Sequence, residues 1–359
     1  MVKFNFLNFK NVFLKVFYLA FFLFLLNAVF VACDNKDIAK EELNKIEIDY
    51  SFRRFDKELF EQFEKSQLAT VSKEPKSLDY FIENYGEFFK LFVRNIIQIG
   101  RAEDPSLDYS LSLFVNDKSV LEIYNKVNEV YTDIDKISIE LETAFKRYKY
   151  YFPDANIPKV ITIISGFNYG VVATDDYLAL SLDMFLGEDC EFYDMLGIPK
   201  YKSLQMNKEN LLPNAVRGWV STETEFDETD KKLIELMVFE GKMLYVLDKL
   251  LPQTSEELKI GFTKEELNWC EKNAANVWAH FIEEELLFSA VYKKTSKYMN
   301  EGPFTAGFAR ESPGKIGHWV GWQIVKKYMD KHPDTSMTAL LEIPAEEVLK
   351  QSKYKPRYF

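Results

Sequence analysis

The chain has 359 residues, 47% hydrophobic and 16% aromatic, with a formal charge of −11. An acidic chain lacks the clustered cations that phosphate contacts need, which argues against nucleic acid as a partner, and it has no electrostatic pull towards an anionic lipid surface. The length suits one large domain or two small ones, with ample apolar content for a packed core.

Residues 1–32 stand apart from the rest. Val16 to Ala32 carries no charge, Lys3, Lys10 and Lys15 precede it, and no acid occurs before Asp34. A basic start, an apolar stretch and small residues at a cut site form the layout of a secretory signal. Phe30-Val31-Ala32-Cys33 resembles the bacterial lipoprotein signal, in which the cysteine thiol is lipidated and becomes the first mature residue. Cys33 is therefore the expected lipidation site, its acyl groups (palmitate among them) holding the chain in a membrane. The alternatives are an uncleaved anchor, since the run approaches the ~20 apolar residues that span a bilayer, and an ordinary signal peptide with an incidental cysteine. Cleavage would remove three lysines and no acid, taking −11 to −14.

Residues 33–46 read as a polar tether and 47–359 as a single globular domain. Phe55, Leu59, Phe60 and Phe63 recur at helical spacing. An aromatic stripe predicts a strong helix from Leu78 to Ile99, stopped by Gly100, and residues 101–115 read as a loop. Helices follow at about 117–131 and 134–151. Lys159 to Ser165 is β-branched, Gly166, Asn168 and Gly170 make a turn region, and 171–173 and 178–182 resume strand-type residues. Two or three strands in a small sheet are expected. Residues 184–212 read as irregular. Pro213 suits a first helical turn, with that helix reaching Thr222, and a long helix is expected from Asp227 to Leu250. Thr263 with Glu266 forms a capping box opening a helix to Ser289. Glu301 to Pro313 is a Gly/Pro loop, Ser312 and Pro313 open a helix to Lys331, and Pro344 to Ser352 is a last short helix. The fold class is α+β, mostly α-helical, with a small central antiparallel or mixed sheet flanked by helices.

Chemistry-bearing motifs are sparse. The three histidines, His280, His318 and His332, form no H-E-x-x-H pair, and no phosphate loop or nucleophile elbow occurs. His280 and Glu284 share a helix face, which suits a weak metal pair or an exposed ion pair. Cys190 lies between two acids and Cys270 beside Trp269; both read as buried free thiols, although outside the cytoplasm they could pair. No cofactor is expected. The densest special stretch is Glu301 to Met329. Gly317 and Gly321 clear one helix face, and Arg310 and Lys315 flank a helix start whose free N–H groups attract anions. The stretch suits either a carboxylate or chain-terminus pocket, or a loop docked on a buried helix start with Arg310 paired to an acid such as Glu311.

Arg54-Phe55-Asp56, Asn276-Val277-Trp278 with Phe281 and Glu285, Asn300 to Thr305, and Glu311 to Gly314 through Gly321 to Val325 resemble the GldB family of gliding-motility lipoproteins of Bacteroidetes. The resemblance spans nearly all of the mature chain. It implies a cell-envelope lipoprotein on the non-cytoplasmic side of a membrane, required for gliding and linked to the type IX secretion machinery. Its partners would be other envelope proteins, and no enzymatic activity is implied. A remoter likeness to predicted zinc peptidases rests on residues 159–182, on Glu240-Gly241 and on the Gly-rich C-terminal helix. The preceding helix, Asn214 to Thr222, has no histidine, so the likeness implies a peptidase-like shell without its metal motif. The alternative function is a hydrolase of envelope peptides or cell wall, which requires Glu240, His280 or His318 to converge. Glu240, His280, Arg310 and Lys315 are the candidates for a vestigial or anion-binding site.

Overall fold

The computed structural model describes residues 38–68, 77–224 and 226–357. Cys33, the signal stretch and Glu225 lie outside them. No helix among the described residues is long and apolar enough to cross a membrane.

The sheet has four strands: β1 (Phe52–Arg54), β2 (Lys159–Ile163), β3 (Val171–Ala173) and β4 (Tyr177–Ser181), in the order β1-β2-β4-β3. β1 and β4 run parallel to β2, whereas β3 forms an antiparallel hairpin with β4. The sheet is thus mixed and carries one strand more than expected. Residues 160–163 and 178–181 are buried on both faces, which is why they read as continuous apolar runs.

Helices cover the sheet. Helix α1 (Phe55–Leu68) follows β1 directly, and α2 (Ser77–Leu91) packs against it. Gly86 breaks α2 with φ 46° and ψ −118°. A π-helical turn, Phe92–Ile96, continues it, so the helical path ends before Gly100, at a left-handed Gln98. Within 101–115 the structure forms a helix, α3 (Leu107–Asn116), where a loop was expected. Leu107, Leu111 and Val115 recur every fourth residue and all three are buried. Asp117 caps α4 (Lys118–Val130) by accepting from Ser119 N and Val120 N. Helix α5 (Asp135–Tyr151) leads into β2.

Helix α6 (Lys208–Thr222) starts five residues before Pro213, which sits inside it. Residues 182–207 also hold single helical turns at Leu182–Phe185, Glu191–Met195 and Lys200–Ser203. Helix α7 (Leu233–Leu250) begins later than Asp227. The intervening acids are drawn into turns, with Asp227 accepting from Thr229 N. Helix α8 (Lys264–Glu283) opens on the Thr263–Glu266 capping box and stops six residues short of Ser289, where Leu286 and Leu287 turn into the core. After α9 (Tyr292–Met299) and the 300–315 loop comes α10 (Ile316–Lys331). Lys315, not Ser312, is its N-cap, and the Ser312 hydroxyl instead accepts from Thr305 N across the loop. Helix α11 (Ala345–Ser352) closes the chain.

Two packing devices position the site. Arg54 grips Asp56 with one guanidinium edge, Nε to Oδ1 at 2.9 Å and Nη2 to Oδ2 at 2.6 Å, and Thr162 of β2 donates to Asp56 Oδ1 at 2.5 Å. Asp56 is fully buried, so this bidentate pair is what lets β1 join the sheet. Phe55 between them meets the rings of Phe81, Tyr85, Phe88 and Phe92. The second device is the crossing of α7 and α10. A Cβ on Gly241 would lie 2.3 Å from the Gly321 carbonyl, and one on Gly321 only 1.6 Å from Met237 O. The two backbones touch because neither position carries a side chain.

Candidate functional site

The glycine crossing brings the middle of α7 against the start of α10, and α6 packs beside both. Arg217 of α6, Glu240 of α7 and His318 of α10 meet there. Arg217 Nη2 donates to Glu240 Oε2 at 2.6 Å and reaches His318 Nδ1 at 3.1 Å. His318 Nε2 lies 2.9 Å from the Met299 carbonyl, which can only accept, so Nε2 carries the proton. Nδ1 is then the bare nitrogen and accepts from Arg217. It stands 3.2 Å from Glu240 Oε2, and both are acceptors of the same guanidinium.

Burial lowers the His318 pKa; Arg217 and Lys315 lower it further, and Glu240 opposes them. Burial alone would raise the Glu240 carboxyl, but its cationic surroundings override that and hold it well below the usual carboxylate range. His318 first and Arg217 next hold the Glu240 carboxyl down.

This cluster forms the polar end of a cleft of about 360 Å³ lined by Asn214, Arg217, Ser221, Glu301, Lys315 and His318. Asn214, Arg217 and Ser221 lie three and four residues apart on α6 and so share one helix face. A second cavity of about 220 Å³ continues from it and shares Gln205, Asn214, Glu301 and Lys315. Its outer walls are Met184, Phe185, Tyr201, Met206 and Phe262. Lys315 is left-handed at φ 44°, which turns its side chain inward; that side chain is 9% exposed and its Nζ meets Glu301 Oε1 at 3.4 Å. Burial lowers the Lys315 pKa as well.

Asp183 lies behind the cleft, fully buried just after β4. It accepts from Ser165 N and, at 2.7 Å, from Phe167 N, and so holds the left-handed Gly166–Phe167 turn that leads to Gly170 at the cleft wall.

Of the residues singled out in the sequence, Glu240 and Lys315 therefore lie in one region, with His318 between them. His280 does not join them. Its Nε2 is 2.7 Å from Tyr298 Oη and its ring packs on Phe308, so it serves an aromatic cluster on α8 and α9. Glu284 donates its backbone N–H to the His280 carbonyl as the end of α8, which is a terminal role. Arg310 is exposed on the 300–315 loop, outside the cleft, and forms no ion pair with Glu311 among the described residues. Cys190 and Cys270 are free and buried. Among the described residues no group of three or more His, Cys, Asp or Glu could hold a metal ion.

Arg217 was not legible as a site residue. The helix 214–222 drew attention only for its missing histidine, and a lone arginine there carries no motif. Asp183 likewise sits in a stretch with no periodicity. What could have found Arg217 is the spacing of Asn214, Arg217 and Ser221, a polar stripe on a helix otherwise filled by Leu211, Ala215, Val216, Trp219 and Val220.

No curated protein and no solved structure matches the chain. The family described as gliding motility protein GldB matches residues 36–356, nearly the whole described body and all of the residues that build the cleft. The chain belongs to the GldB family of gliding motility proteins.

Proposed function

We propose that the protein is a lipid-anchored component of the cell envelope, held on the non-cytoplasmic side of a membrane by Cys33. It supports gliding by contact with other envelope proteins of the gliding and type IX secretion machinery, without catalysing a reaction. The observation that carries this reading is the family match over residues 36–356. Two features support it. The match begins just after Cys33, which agrees with a leader and lipid site preceding the domain. In the cleft, Glu240 is locked to Arg217 and kept ionised, and the His318 lone pair is already engaged, so neither is poised to exchange a proton.

Cys33→Ser tests the anchor. The variant is expected to lose labelling by a fatty-acid probe and to abolish spreading on agar, while the folded domain is retained by circular dichroism. Normal lipid labelling and motility of the variant would overturn the reading.

One observation favours the hydrolase alternative: Glu240 and His318 do converge, at 3.2 Å. Elemental analysis of the purified protein separates the two. Near-stoichiometric zinc, together with hydrolysis of envelope peptides lost on Glu240→Gln, would put the hydrolase first.

A further inference from the structure

We infer that the cleft between α6, α10 and the 300–315 loop is a receptor for the C-terminal carboxylate of a polypeptide ending in an apolar residue. Three features of the cavity point there, and none depends on the gliding role.

The first is charge. The chain is acidic overall, yet Lys202, Arg217 and Lys315 line the two cavities, with Glu266 and Glu301 beside them and Glu240 behind. These three cations equal the three carboxylates in number, so one further negative charge is tolerated more readily than the two of a phosphate dianion, which would meet three repelling carboxylates. Lys259 also lines the wall but is neutralised by Asp248 at 2.9 Å.

The second is unused hydrogen-bonding capacity. Arg217 spends only Nη2 on Glu240 and His318; no described protein group takes its Nε or Nη1 hydrogens. The guanidinium is therefore already oriented by Glu240, and single N–H donors on Nε and Nη1, which do not share an edge, remain for one carboxylate oxygen while Lys315 takes the other. Lys315 brings three donors and has one long contact at 3.4 Å.

The third is the order of surfaces. Arg217 and His318 line only the polar cavity; Met184, Met206 and Phe262 line only its continuation; Gln205 and Asn214 line both. The Asn214 carbonyl oxygen and the Gln205 side-chain amide have no protein partner among the described residues, Asn214 using only its NH₂ on Asn210 O. A peptide fits this order: carboxylate on Arg217 and Lys315, backbone amide between Asn214 and Gln205, side chain among the methionines and Phe262. A fatty acid has the same head but would press methylenes against two amides and leave them unpaired. A small free carboxylate would not reach Met184, Met206 and Phe262.

The test uses the full chain in detergent and isothermal titration with three probes: acetyl-Ala-Ala-Phe with a free carboxylate, the same peptide as its amide, and hexanoate. The free acid is expected to bind saturably and the amide roughly ten- to a hundredfold more weakly, the range for losing a charge-assisted bond. Lys315→Asn, which tolerates the left-handed backbone, is expected to weaken the free acid by a similar factor with an unchanged melting temperature. Arg217→Lys should retain part of the affinity that Arg217→Gln loses. Because Arg217→Gln strands Glu240 and could unfold the chain, the acid–amide comparison on the unmodified protein carries the decision. Equal affinity for acid and amide, no binding at millimolar peptide, or hexanoate binding as tightly as the peptide would each overturn the inference; the last would assign the cleft to a lipid-type carboxylate.

Discussion

His318 shows how one tautomer follows from one carbonyl. Met299 O fixes the proton on Nε2, and Arg217 fills the opposite nitrogen. Protonating Nδ1 would place a second cation against Arg217 and close to Lys315, with only Glu240 to offset it. The folded-state pKa is therefore below the ordinary 6.5. The unfolded chain then binds its proton first as pH falls, so stability is full above about 6.5 and is lost as pH drops through the unfolded value towards the folded one. Asp183 acts with the opposite sign. Burial pushes it to about 6, so between about 6 and 3.8 the folded state holds a proton that the unfolded chain lacks, and stability is gained on acidification. The two partly cancel, and the wild type alone would not reveal His318. The difference between wild type and His318→Gln isolates it: the midpoint at pH 7.5 minus that at pH 5.5, taken with its sign, should be more positive in the wild type than in the variant. Nitrogen-15 spectra of the imidazole should show Nε2–H at pH 7; an Nδ1–H or doubly protonated ring would refute the assignment. At this scale the sequence was a poor guide. Glu240 and Lys315 stood out beside glycines, but Arg217 and Asp183 gain their roles from chain segments far away, and nothing adjacent to them in sequence records it.

At the scale of elements, legibility followed hydrophobic period. The helices now seen at 118–130, 135–151 and 345–352 were visible because their apolar residues recur with the helical repeat and their ends carry caps or prolines. Helix α3 was hidden although Leu107, Leu111 and Val115 have the right spacing, because Asp108, Ser110 and Ser112 between them favour turns. Strand β1 was hidden because three residues, Phe-Arg-Arg, show no alternation, and its partner β2 lies more than a hundred residues on. The Gly317–Gly321 spacing did announce a close approach, though not its partner, Gly241, which the structure supplies. That contact gives a sharp expectation. In Gly321→Ala the new methyl would sit 1.6 Å from Met237 O, a backbone atom that cannot rotate away. Separating α7 from α10 would also pull Glu240 off His318. We expect a loss of at least about 3 kcal/mol, the upper range for overpacking. Gly241→Ala meets the same crossing, so the double variant should cost less than the two singles together, because the first methyl already parts the helices. Urea denaturation of the four proteins measures this directly, and strict additivity would show that the glycines do not face one another.

The residues from Leu43 onward form a single compact unit, and their buried side chains make one continuous cluster from Phe55 to Val348. Rings trace part of the continuity: Phe55 meets Phe88, Phe88 meets Tyr177 on β4, and β4 packs on α6, whose Trp219 meets Phe145. A body built this way has no internal seam along which one half could unfold first. All five tryptophans, Trp219, Trp269, Trp278, Trp319 and Trp322, lie in the C-terminal part, so tryptophan fluorescence reads that part alone, while far-UV circular dichroism reads all the helices. If the core is one cooperative unit, the two signals must change together. The sharper form of the test perturbs the far end. Phe55→Ala removes a fully buried ring from the N-terminal cluster and should cost roughly 3–5 kcal/mol. Phe55 is more than 160 positions before the first tryptophan, yet the fluorescence midpoint should shift by as much as the dichroism midpoint. If fluorescence stayed at the wild-type midpoint while part of the dichroism was lost early, the N-terminal helices would be a separate folding unit. The latch of Arg54, Asp56 and Thr162 would then be the boundary between two modules, and no longer a bond inside one.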